Sequence, residues 1–275
     1  MRHYAIAGEQ GFERMSRVAP AALVAVSLLF DRVCILCYAN SCLGQRDAWP
    51  SEVMSRLVVI DGARVDAHLG VEEMPHHHKA AQTYAFVLRE QLSAVESVLI
   101  LEADWTIPSS LATSLDSSAI RTWLHSEPWL ALRLGYNPMP GLWSENGTSR
   151  CHPACTCTRS RAVPAAPICT VFADLRKPRE QYCDIRSFVG AAFHRRSLEP
   201  LLGFARAVSL NFTAVPEDRL PNVEMAPIDL WLPATFSRVD YLVPAIIVQS
   251  GIKRVEHMGN IARFLHVCEG WHPPP

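Results

Sequence analysis

No run of apolar residues in this 275-residue chain reaches the roughly 20 that a helix needs to cross a bilayer. The longest candidate, Val18 to Phe30, has 13 apolar or small residues behind Arg14 and Arg17. It has the length of a signal-peptide core, and equally that of a helix packed on a sheet. Any membrane association would therefore run through this segment. Charge is also scarce: 19% of residues are charged, 26 basic and 27 acidic, for a net charge of −1. There is no broad basic face, so nucleic acid is not an expected partner, and no long run of one sign marks a disordered tail. The sequence lacks G-x-S-x-G and G-x-x-x-x-G-K-[ST], the signatures of nucleophile-elbow hydrolases and P-loop enzymes. It also lacks an internal repeat.

What is present is a large apolar fraction, 49%, enough for a sizeable core. Short apolar runs alternate with amphipathic stretches, which predicts strands near 32–38, 57–60, 98–101, 129–134, 187–193 and 241–248. Helical periodicity or good helix formers cover 74–94, 108–126 and 195–208. Such alternation is the pattern of an α/β fold with a mostly parallel central sheet. We expect one domain over residues 31–272, preceded by an extension over residues 1–30.

Nine cysteines are many for a cytosolic enzyme of this size. Cys34 and Cys37 lie in the first strand and should face opposite sides of it as buried thiols. Cys151, Cys155, Cys157, Cys169 and Cys183 fall in a Pro-, Arg- and Thr-rich segment, 137–184, with weak periodicity. This reads as a long loop stapled by disulfides. Zinc is the rival, with Cys151, His152, Cys155 and Cys157 as ligands, but a second C-x-x-C pair is missing. The sequons at Asn146 and Asn211 favour the secretory-pathway lumen and a glycoprotein, with the cytoplasm as the alternative.

The most informative feature is Glu102-Ala103-Asp104 directly after Val98-Leu99-Ile100-Leu101. Ligands of α/β sheets bind beyond the carboxyl ends of the strands, and two carboxylates there offer hard oxygens to Mn²⁺ or Mg²⁺. An acidic strand end that is merely solvated is the bland alternative. Asp229, in Ile228-Asp229-Leu230-Trp231-Leu232, is placed either as a general base, its pKa raised by partial burial, or as a helix N-cap. Of His76, His77 and His78, three consecutive helical positions cannot all face one ion.

The ordered set of segments resembles the family 25 glycosyltransferases, which include lipooligosaccharide and collagen galactosyltransferases. It begins with Val33 to Tyr38, Arg46, and Arg56 to Gly62 ending in a D-G step. His78-Lys79-Ala80 then opens a helix leading to Leu101-Glu102-Ala103-Asp104, similar to the family's S-H helix and L-E-D-D element. Here the serine position is His77 and the middle acid is Ala103. Leu134-Gly135-Tyr136, Gly190 to Phe193, Ile228 to Leu232 and Pro244 to Ser250 follow in family order, so the likeness spans roughly residues 31–255.

The resemblance implies a single Rossmann-like GT-A domain that moves a hexose, galactose or glucose, from a nucleotide-sugar donor such as a UDP-sugar to a hydroxyl of a glycan or protein. It implies Asp104 and Glu102 as metal ligands, with His257 completing the shell, and Asp229 as catalytic base. Arg46, Asp61, His78 and Lys79 are the implied donor-binding residues. Each also has a bland alternative as a solvated or capping side chain. Ala103 in place of an acid motivates a second reading, an inactive transferase-like domain that binds a glycan or a protein. A zinc-dependent interaction module built on the Cys-rich segment is a third.

Overall fold

The computed structural model describes residues 20–38, 51–74, 76–102, 105–106, 116–138, 160–162, 168–172, 185–203, 238–242 and 246–249. At some of these positions, His78 and Glu102 among them, only the backbone is described. The helices among the described residues include α1 (Pro20–Ser27), α2 (Ser51–Met54), α3 (Gly62–Leu69), α4 (His76–Leu92) and α5 (Ser117–Ser126). The strands are β1 (Arg32–Cys37), β2 (Leu57–Asp61), β3 (Ser97–Glu102), β4 (Trp105–Thr106), β5 (Ala131–Pro138), β6 (Ser160–Ala162), β7 (Ile168–Phe172), β8 (Ile185–His194), β9 (Arg238–Leu242) and β10 (Val248–Gln249). This is a mixed α/β structure.

Eight strands form one sheet in the order β2-β1-β3-β8-β5-β9-β7-β6. β2 and β3 both pair with β1 in parallel. β8 is antiparallel to β3 and to β5, β9 is parallel to β5, and β7 is antiparallel to β9 and β6. Six strands therefore run one way, with β8 and β7 against them.

Both faces are covered, which is why β1 and β3 are unbroken apolar runs. Period-2 alternation divides their side chains between two clusters. Cys34, Leu36, Val98 and Ile100 pack with Ala81, Tyr84, Leu88 and Leu92 of α4. Val33, Ile35, Cys37, Leu99 and Leu101 pack on the other face with Val26, Phe30, Ile120, Trp123 and Trp129. Within the apolar N-terminal run, Pro20–Ser27 is helical, Val26, Leu29 and Phe30 are buried, and Arg56 donates to the Phe30 carbonyl at 2.7 Å. Among the described residues no helix is long and apolar enough to cross a membrane.

Three departures from the sequence expectations have local causes. The segment 137–184 is not loop throughout, because Ser160–Ala162 and Ile168–Phe172 form a hairpin that extends the sheet past β9. Ile168 and Thr170, two apart, are both buried, but so short a strand leaves little periodicity. Second, the run at 241–248 is divided between β9 and β10, with Pro244, which has no amide N–H to donate, in the interval. Third, Cys37 is disulfide-bonded to a residue whose side chain lies outside those described, whereas Cys34 remains a free thiol. The two do face opposite sides. Cys34 is enclosed mid-strand, and burial pushes its pKa up to about 12; Cys37 ends its strand, where the chain leaves the sheet.

Candidate functional site

The strand order reverses at β1: β2 is added on one side and β3 on the other, both parallel to it. Such a switch point opens a crevice at the carboxyl ends of the strands. Cys37 pairs in register with Asp61, and Leu36 with Glu102. Asp61 and Glu102 thus end the two strands flanking β1, two strand spacings or about 10 Å apart.

Asp61 is the N-cap of α3, accepting from the Arg64 amide at 3.1 Å. The Arg64 guanidinium stands 3.8 Å from its other oxygen. Gly62 follows at the first helical position, and Gly70, in the left-handed region at φ 65°, closes the helix. Four residues after Gly62, on the same helical face, Asp66 is buried. It accepts from the Thr83 hydroxyl at 2.5 Å and from the Tyr38 hydroxyl at 3.5 Å, and Lys79 Nζ lies 3.8 Å away. This cluster joins the end of β1, α3 and α4 beside the crevice.

Of the expected donor-binding residues, the structure thus brings Asp61 and Lys79 to the same end of the sheet, but engages both within the protein. Lys79 is paired with Asp66 and Asp61 caps a helix. His78 lies in the first turn of α4, its side chain undescribed. Glu102 ends β3, where a ligand to a divalent ion would have to stand, and carboxylate oxygens suit Mn²⁺ or Mg²⁺. Arg46, Asp104, Asp229 and His257 lie outside the described residues. Among the described residues no three metal-capable side chains cluster.

Segments far apart in sequence meet at this edge. β4, immediately beyond the acidic cluster, pairs with β10, Val248 opposite Thr106 and Gln249 opposite Trp105. A Cβ added to Gly135 would lie 2.7 Å from the carbonyl oxygen of Ile247, and one added to Gly190 would lie 2.5 Å from its Cδ1. Ile246 and Ile247 both donate to the Leu134 carbonyl, at 2.9 and 3.1 Å. Residues 134–135, 190 and 246–247 therefore converge on one another.

Sequence reasoning missed Tyr38, Asp66 and Thr83. The one available signal was Asp66 one helical turn after Gly62, a carboxylate on the face that α3 turns inward. No protein-family model matches the chain, and no curated protein matches it.

Proposed function

We propose that the protein is a glycosyltransferase of GT-A type that transfers a hexose from a nucleotide sugar to a hydroxyl of a glycan or protein. The observation that carries this reading is the parallel β2-β1-β3 switch point, with the D-G step closing one flanking strand and Glu102 the other. The pairing of β4 with β10 adds to it, since it sets Val248 and Gln249 beside the strand that follows the acidic cluster in sequence.

Glu102 and Asp104 would hold a divalent ion, which when bound offsets the charge that develops on the nucleoside-diphosphate leaving group. Asp229 takes the proton of the acceptor hydroxyl as that oxygen attacks the anomeric carbon. Arg46 and His78 contact the donor.

Thermal unfolding with a panel of nucleotide sugars, with and without Mn²⁺, tests the reading, because a ligand that binds only the folded state raises the melting temperature. We expect a Mn²⁺-dependent rise with at least one donor, lost in Asp104→Asn, and a fall in kcat of about 10²-fold or more in Asp229→Asn. No shift with any donor would overturn it. Ala103 between the two acids favours one alternative, a transferase-like domain that binds without turnover. Donor binding with no transfer or hydrolysis would select it.

A further inference from the structure

After Glu102 the chain leaves the main sheet and restarts at Trp105 as β4, in a separate two-stranded sheet. Both ends of this crossing are held by one segment from far later in the chain. On the near side, Leu101 pairs in register with Gly190, and the space that the glycine leaves open is shared. A Cβ added there would lie 2.5 Å from Ile247 Cδ1, 3.2 Å from its Cγ2 and 3.3 Å from Leu101 Cδ2. On the far side, Val248 pairs with Thr106 and Gln249 with Trp105. The segment is itself anchored to the main sheet: the Ile246 and Ile247 amides donate to the Leu134 carbonyl, and both side chains are buried. An isoleucine that only filled core volume would not need to lead directly into a strand paired beyond the acidic segment.

We propose that residues 246–249 form a positioning strap that clamps the segment 102–104 at both ends, Ile247 beside Leu101 and β10 against β4, and so holds its carboxylates where a divalent cation needs them. This rests on the metal-assisted nucleotide-sugar reading and adds to it residues that act through the ligands rather than on the ion. A short acidic link tethered at one end only would let its carboxylates swing, whereas Mg²⁺ demands a near-octahedral set of oxygens. Loosening the groups that orient metal ligands typically weakens metal binding about 10- to 100-fold. Ile247, Gly190 and the backbone of β10 are therefore positioning residues.

Titration of the full chain with Mn²⁺ alone, followed by the electron paramagnetic resonance of the free ion well below the melting temperature, tests this. Ile247→Ala, which empties the space beside Leu101, should weaken Mn²⁺ binding about 10-fold or more. Ile247→Val keeps the branch at Cβ and should stay close to wild type. Val248→Pro/Gln249→Pro removes both amides that β10 can offer β4 and should weaken Mn²⁺ on the same scale. Leu92→Ala, a truncation of like size in the cluster on the opposite face of the sheet, should bind Mn²⁺ as wild type does. Wild-type affinity in either folded strap variant would overturn the strap and leave the metal site standing. An equal loss in Leu92→Ala would overturn it in favour of general destabilisation. If wild type itself binds no Mn²⁺, the metal site falls and the strap with it.

Discussion

His194, the last residue of β8, shows how one side chain can make stability depend on pH. Its Nδ1 accepts from the Arg196 amide at 3.1 Å, which requires the neutral ring. The ring stands edge-on to Trp129, 5.3 Å between centroids. Burial lowers its pKa from the ordinary histidine value, Arg196 and Arg195 lower it further, and Glu96 and Asp31 oppose them. With the folded pKa depressed, the unfolded chain takes up the proton first. The stabilisation is therefore complete above the unfolded value of about 6.5 and is lost as pH falls through the folded value. Urea denaturation of wild type should show stability falling as pH drops below about 6.5. His194→Asn, which can still accept from the Arg196 amide, should flatten that slope. An identical slope in the two proteins would remove His194 as its source.

Among the elements, α3 and α4 are joined through the buried Asp66–Thr83 pair. A hydrogen bond to a buried carboxylate contributes about 1.5–3 kcal/mol, whereas the partly exposed Lys79 contact, at 3.8 Å, is of the kind that contributes about 0–1 kcal/mol. Thr83 should therefore dominate. Asp66→Ala and Thr83→Val are each expected to cost about 1–3 kcal/mol, and the double variant clearly less than their sum, because both remove one interaction. Strictly additive losses in chemical denaturation would show that the two side chains act separately. Element by element, the sequence was most legible where a buried strand makes a continuous apolar run. β1, β2, β3 and β8 stand within a residue or two of expectation, and Asp61 and Glu102 end their strands as polarity alone suggests. β6 and β7 were hidden among prolines and cysteines. Tyr38 and Asp66 were illegible for another reason, since the exposure of a tyrosine and the burial of an aspartate are decided by which elements pack against them, and local sequence does not record that.

For the molecule as a whole, the convergence of β5, β8 and residues 246–247 depends on two glycines that differ in what they face. A methyl at Gly135 meets a carbonyl oxygen of a segment tied by two hydrogen bonds to Leu134. At Gly190 the nearest atom is the tip of the Ile247 side chain, which can rotate away. Overpacking of a fixed site costs about 1–3 kcal/mol, so Gly135→Ala should lower the melting temperature clearly and Gly190→Ala less. The reverse order would mean that the 246–247 backbone yields more readily than the isoleucine side chain.

The position of β8 also constrains the order of assembly. β3 and β5 run in the same direction and are separated only by β8, which is synthesised some 50 residues after β5 ends. During that interval a nascent chain carries two open strand edges of matching polarity, which could pair directly with each other. Such a pairing would close the slot that β8 must enter. The central sheet can thus be completed only by a strand that arrives late, and a chain arrested before Ile185 would be left with the β3 and β5 edges exposed to each other and to neighbouring chains.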